Sequence, residues 1–180
     1  MSYAFQKCSI LIRTSFAVLA AFACLFLSLS LGSAFANDYK IGDIEITNVW
    51  ARATPNGAKV AGGFFTIVNH SKDADRLVSL SSELSDKAQI HSMEMADGVM
   101  KMRHQADGVV IPAGGTVEFK PGSFHVMFMD LDKTLNKGDE FKAKMVFEKA
   151  GTVDVVFTVS GIGAQAPDSM PANHEEHKHH

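Results

Sequence analysis

The run AQIHSMEMADGVMKMRH, from Ala88 to His104, carries most of what this 180-residue sequence says about its fold. Asp97-Gly98 stands between two runs that alternate apolar and polar residues, the strongest short-range signal for a two-residue β-hairpin turn. Placing that pair at the turn fixes the register. Ala96 then faces Val99, Met95 faces Met100, Met93 faces Met102, and His91 faces His104. Side chains in a strand alternate faces with period two. His91, Met93, Met95, Met100, Met102 and His104 therefore leave the hairpin on one face, with opposed residues about 4.5–5.5 Å apart. A third run, His125-Val126-Met127-Phe128-Met129, repeats His and Met on one parity.

Outward from the hairpin, short strand-like runs recur between Gly and Pro turns. They are Ile44 to Trp50, Phe64 to Val68, Arg76 to Ser81, Thr116 to Phe119, Phe124 to Leu131, Phe141 to Phe147 and Val153 to Val159. No stretch holds a 3.6-residue apolar period over three turns, and neither a repeat nor a domain boundary is evident. Regularly spaced strands of this kind predict an all-β protein, an antiparallel sandwich or barrel.

The two ends differ from this body. Residues 1–36 read as a secretory signal peptide. Lys7 and Arg13 open it, Ser15 to Leu31 is almost wholly apolar or small, and Ala34-Phe35-Ala36 forms an A-x-A cleavage site. The apolar run is short for a bilayer span of about 20 residues, so no membrane span is expected after cleavage. Cys24 follows Ala21-Phe22-Ala23 inside the apolar run and does not read as a lipid-attachment site. The mature chain would start at Asn37, with a sandwich domain over 37–163. The remaining residues, 164–180 (AQAPDSMPANHEEHKHH), carry two prolines, four His and little to bury, and predict a flexible tail.

Composition narrows the function. The formal charge is −3, from 17 basic and 20 acidic residues, and becomes more acidic once Lys7 and Arg13 are removed. Nucleic acid is not an expected partner. Both cysteines, Cys8 and Cys24, leave with the signal, so thiolate chemistry and disulfides are excluded from the mature chain. Its eight His and most of its nine Met remain.

Methionine alone would read as core filler, since it packs adaptably. Here Met93, Met95, Met100, Met102, Met127 and Met129 share their faces with three imidazoles, each needing a hydrogen-bond partner if buried. That combination points to a metal. Thioether sulfur is soft and suits Cu(I), whereas zinc prefers Cys, His or carboxylate and calcium needs oxygen clusters. A blue-copper electron-transfer centre requires a thiolate that the mature chain lacks. Neutral His and Met donors leave the ion positive and favour Cu(I) over Cu(II), which fits holding and transferring the ion better than cycling it.

His91, ten residues, Met102, twenty-two residues, then His125-Val126-Met127 resembles the H-x10-M-x21-H-x-M signature of the PCu(A)C family of periplasmic copper chaperones. Ile90-His91-Ser92-Met93, Pro121 to Met129, Trp50-Ala51-Arg52 and Ala61-Gly62-Gly63-Phe64-Phe65 add to the likeness, which covers roughly Ile44 to Val159. The second gap is one residue longer than the signature. An insertion in the loop between Ala106 and Gly122 would not move the ligands' faces. The resemblance implies a cupredoxin-like antiparallel β-sandwich of Greek-key type, binding one Cu(I) through His91, Met102, His125 and Met127. It further implies a non-enzymatic role in the periplasm: delivery of copper toward the CuA centre of cytochrome c oxidase, with or without a Sco-type thiol protein. Met93, His104 and Met129 would lie in a shell around the ligands, and His70 would be a solvated turn residue.

In the tail, Met170, His174, His177, His179 and His180 form a candidate auxiliary site for a second copper as Cu(II), which imidazole favours. Two other functions stay open at this point: copper storage or resistance, and a copper-dependent oxidoreductase. Oxygenases that use a histidine brace need His at the mature N-terminus, where Asn37 is expected.

Overall fold

The computed structural model describes residues 38–168 apart from Asp86 and Asp97. Eleven strands and no helix are found among them: β1 (Tyr39–Ile41), β2 (Ile44–Arg52), β3 (Val60–Asn69), β4 (Asp75–Ser82), β5 (Lys87–Ala96), β6 (Val99–His104), β7 (Val109–Ile111), β8 (Thr116–Phe119), β9 (His125–Met129), β10 (Glu140–Phe147) and β11 (Gly151–Ser160). The hydrogen-bonded order is β6-β5-β9-β3-β2-β11-β10-β4-β7, with β1 also on β2 and β8 also on β3.

The β5–β6 hairpin has the register that the turn dipeptide predicts, from Ala96 opposite Val99 to His91 opposite His104. Gly98 holds φ at 75°, a conformation that glycine adopts without steric cost. Asp97 lies outside the described residues. On β9, His125, Met127 and Met129 are half-buried while Val126 and Phe128 are buried, the two-faced pattern of a strand lying over a core.

That core forms because the sheet folds over on itself. Phe128 of β9 packs edge-on against Phe141 of β10 and Phe157 of β11, with ring centroids 5.2 and 5.4 Å apart. Three strands separate β9 from β10 in the hydrogen-bonded order, so the contact runs across the interior. Phe65, Ile46, Ile67, Leu77 and Val155 join the same cluster. Each buried Phe contributes roughly 1.5–3 kcal/mol. Gly63 lets two strands approach here: a Cβ at that position would lie 2.7 Å from the Phe128 ring and 3.0 Å from Phe157. The result is the cupredoxin-like β-sandwich that the sequence implied.

The expected all-antiparallel pairing needs correction. β11 runs parallel to β2, with Thr158 beside Trp50 and Ser160 beside Arg52. Turn signals set the direction only of strands that follow one another. β2 and β11 come from opposite ends of the body, and no local signal fixes their relation. Two short strands, β1 and β7, also went unread. β2 contains a bulge between Thr47 and Trp50, where Asn48 takes φ 54°, a left-handed conformation that Asn tolerates better than most residues.

Asp75 ties the ends of several strands together. Its buried carboxylate accepts N–H bonds from Arg76 (2.7 Å), Lys149 (2.9 Å) and Ala150 (2.9 Å). Desolvation would raise its pKa, but these three donors together with the Lys149 charge hold it below the usual carboxylate range. Among the described residues no helix is long and apolar enough to cross a membrane. The expected leader, residues 1–36, lies outside the described residues.

Candidate metal centre

The methionines of β5, β6 and β9 are not fully buried core residues. Met145 of β10 is fully buried, whereas Met95, Met100 and Met102 are 66%, 43% and 49% exposed. Met93, Met127 and Met129 are half-buried. Thioethers kept at the surface do not gain the burial energy that usually explains them.

β5 runs between β6 and β9. His91 is paired with His104 on one side and His125 on the other, so three imidazoles stand in a row across three strands. Their ring centroids are 5.4 Å apart for His91–His104 and 5.8 Å for His91–His125. One row further along, Met93 pairs with Met102. One row back, Met127 pairs with Gln89 of β5 and Gly62 of β3. Among the described residues no group of three His, Cys, Asp or Glu side chains could hold a metal ion. The thioethers of Met93, Met102 and Met127 are the soft donors this face adds to its imidazoles.

A cleft of about 290 Å³ opens on this face. Met93, Met102, His125 and Met127 line it, with Gly62, Phe64 and Val60 of β3, Arg52 of β2, and Pro121-Gly122 before β9. Gly62 is the floor: its neighbour across the ladder is Met127, and a Cβ there would meet the Phe64 ring at 3.2 Å. Phe64 in turn rests on Trp50, with ring centroids 4.5 Å apart.

The two inner imidazoles present opposite nitrogens. His125 Nδ1 donates to the Ser123 carbonyl at 3.1 Å, which leaves Nε2 with a free lone pair. His91 Nε2 lies 3.0 Å from Gln89 Oε1, an acceptor, so the proton sits there and the lone pair is on Nδ1. That Nδ1 is buried and has no hydrogen-bond partner. Fixing one ring nitrogen by a hydrogen bond so that the other can ligate is how metal-binding His residues are oriented. Burial first, then the nearby His125 and His104, push the His91 pKa below its ordinary value. Its neutral, ligating form is favoured as a result.

The structure thus brings Met102, His125 and Met127 around one cleft, with Met93 on the same wall. His91 does not line the cleft but sits against His125. His104 lies one strand further out, beside His91. Met129 is at the far end of β9, next to Lys87 and Val60. Met170, His174, His177, His179 and His180 lie outside the described residues. His70 is more than a solvated turn residue: its Nε2 is 2.7 Å from Glu45 Oε2.

Sequence reasoning gave Arg52 no role. Its guanidinium Nε donates to the Ala164 carbonyl at 2.7 Å, and its Cζ sits 5.5 Å from the Phe64 ring centroid. A lone Arg after a Trp carries no spacing signal, and only the fold places it at the cleft. The contact also shows that the expected tail begins docked on the body. Asp168 confirms this with an N–H bond to Ser160 and an ion pair with Lys137 at 3.0 Å. Small and polar composition predicted flexibility from Ala164 but could not show these backbone contacts.

This sandwich with a Met/His face is the architecture of PCuAC domains. The copper-bound PCuAC domain from PmoF2 is 28% identical, with a TM-score of 0.59 over 69% of this chain and 98% of that domain. The Cu(I) form of DR1885 from Deinococcus radiodurans shares the fold at 24% identity, with a TM-score of 0.51 over 73% of this chain and 85% of that one. The chain belongs to the family described as putative lipoprotein LpqE-like, whose model matches residues 44–159. An uncharacterized protein of Rickettsia prowazekii, RP573, is 34% identical over 108 residues. The match covers 58% of this chain and 60% of that relative, so the chain spans three fifths of its length.

Proposed function

We propose that this chain is a periplasmic copper carrier, not an enzyme, that holds one Cu(I) on the β5–β6–β9 face through His91, Met102, His125 and Met127. One observation carries the reading: incompletely buried methionines surround a cleft that His125 lines, beside His91, whose buried Nδ1 has no hydrogen-bond partner among the described residues. Soft neutral donors suit Cu(I), and a half-exposed site can release its ion to another protein. The copper-bound PmoF2 domain and the Cu(I) form of DR1885 support the choice of metal. Met93 lines the cleft and is positioned to replace a ligand during exchange, while His104 and Met129 flank the site.

The destination in this proposal is the CuA centre of cytochrome c oxidase, reached directly or through a Sco-type thiol protein. Thiolates are anionic and hold Cu(I) more strongly than thioethers, so transfer would run downhill. The lipoprotein-like family supports export from the cytoplasm, in keeping with the predicted leader. The test is to mix the Cu(I)-loaded chain with a metal-free CuA subunit, with and without a Sco-type protein, and to separate the proteins and assay their copper. Transfer of about one copper per chain is the expected result. Copper that stays with this chain in both mixtures would favour storage.

The tail extends the proposal. Arg52 ties Ala164 to the edge of the cleft, and Met170, His174, His177, His179 and His180 follow it in the sequence. Their imidazoles would capture Cu(II), which enters the body once an external thiol reductant has given one electron per ion and been oxidised to its disulfide. Cu(II) uptake by the full chain should weaken between about pH 7 and pH 5, as imidazoles with an unperturbed pKa near 6.5 protonate. Equal uptake by a chain with the four tail His replaced by Gln would remove this step.

A further inference from the structure

The cleft contains a charge that the copper reading does not use. Arg52 reaches it from β2, and its Nη2 is buried without a hydrogen-bond partner among the described residues. A guanidinium N–H without a partner in a buried position is costly. The rest of the group is fixed. Nε is committed to the Ala164 carbonyl, and the plane is held 5.5 Å from the Phe64 ring centroid. Among the described residues no Asp or Glu lines the cleft, whose other walls are Met, Phe, Val, Gly, Pro and His125. Among the described residues the cleft therefore has one guanidinium on its wall and no counter-charge.

We infer that Arg52 makes this end of the cleft a carboxylate-binding site, in the same cavity as Met93, Met102, His125 and Met127. The ligand class follows from the charge and the lining. A single guanidinium balances a monoanion, and the apolar walls around it penalise a dianion such as sulfate or phosphate, whose second charge would be desolvated without a partner. A carboxylate is planar, accepts from guanidinium N–H groups, and carries one charge. Its source is either a free carboxylic acid or an acidic side chain of a protein docked over the cleft. A bound Cu(I) adds positive charge to the same cavity and strengthens the attraction. The site itself does not require copper, so it stands or falls separately from the carrier function.

The test uses the full-length, metal-free chain and follows the Arg52 Nε–H and the Gly62 amide by NMR. It titrates sodium acetate, sodium chloride at matched ionic strength, and glutamate blocked at both termini. Acetate should shift both signals saturably, while chloride should produce only a small, linear drift. Arg52→Gln should weaken acetate binding by about tenfold or more, and Arg52→Lys should keep part of it. Trp50 fluorescence reports whether either variant remains folded. Should Arg52→Gln unfold, the wild-type contrast between acetate and chloride still decides. Blocked glutamate binding more tightly than acetate assigns the site to a protein side chain, and equal binding assigns it to a free acid. Identical non-saturating shifts with acetate and chloride, or unchanged acetate binding in folded Arg52→Gln, would overturn the inference.

Discussion

Gly62 and Gly63 are adjacent on β3, and the structure assigns them opposite duties that substitution can separate. Gly63 faces the core. A methyl there would sit 2.7 Å from Phe128 Cε2 and 3.0 Å from Phe157 Cε1, closer than real Cβ contacts come. The Phe128 ring would have to retreat by roughly 0.7 Å to restore ordinary contact. It has nowhere to go, because it is fully buried and already packed edge-on against Phe141 and Phe157. Overpacking of this kind costs about 1–3 kcal/mol. For a body of this size that lowers the melting temperature by roughly 4–12 °C. Gly62 faces the cleft, where an added methyl meets only the far edge of Phe64 at 3.2 Å. Gly62→Ala should therefore cost less stability, under about 1 kcal/mol, while narrowing the cleft floor beside Met127. Trp50 is the single tryptophan and is buried, so its fluorescence in urea reports unfolding directly. Gly63→Ala should lose stability, and Gly62→Ala should lose metal affinity at near-normal stability. Equal stability of Gly63→Ala and wild type, or a larger loss in Gly62→Ala, would refute this assignment of faces.

Three further outcomes follow from the same structure. Asp75→Asn keeps two of the acceptor bonds but turns an NH₂ toward the Ala150 N–H; it should cost about 2–4 kcal/mol at pH 7, measured by urea denaturation. Because the folded carboxyl is depressed, its stabilisation is present above the ordinary value near 3.9 and lost as pH falls through the folded one. The gap between wild type and Asp75→Asn should therefore shrink below about pH 4, and a constant gap would contradict the role. His91 in the metal-free chain should titrate below about 6.5 by NMR. The folded state then resists protonation there, so this contribution to stability is present above about pH 6.5 and declines as pH falls; a His91 midpoint at or above that value would contradict the burial argument.

How much of this was legible in advance depends on whether the information is local. The hairpin register follows from two turn residues and a period of two, and all its pairs from Ala96–Val99 to His91–His104 are observed. The common face of His125 and Met127 follows from the same alternation. Methionine's place outside the core was not settled by pattern alone, because alternation sets which residues share a face but not which face is buried. Tertiary relations were beyond reach: the parallel β2–β11 pairing, the cleft formed where Gly62 omits a side chain, and the return of Ala164 to Arg52. Each joins residues far apart in the chain through backbone geometry, and no spacing rule encodes them. Met93 shows the same limit. Its parity placed it beside the other donors, but only the cleft shows that it shares their wall while His91 does not.

The central claim is that thioethers at the surface of β6 and β9 hold Cu(I). Leu keeps the size and apolarity of Met, so Met102→Leu and Met127→Leu should cost less than about 1.5 kcal/mol of stability. The direct measurement is competition between a Cu(I)-specific chelator and the purified chain, wild type against the Met102→Leu/Met127→Leu double variant, under reducing conditions that keep copper as Cu(I). The wild type should withdraw about one copper per chain from the chelator, and the folded double variant should withdraw far less. Equal withdrawal by the two proteins, or none by the wild type, would contradict the account.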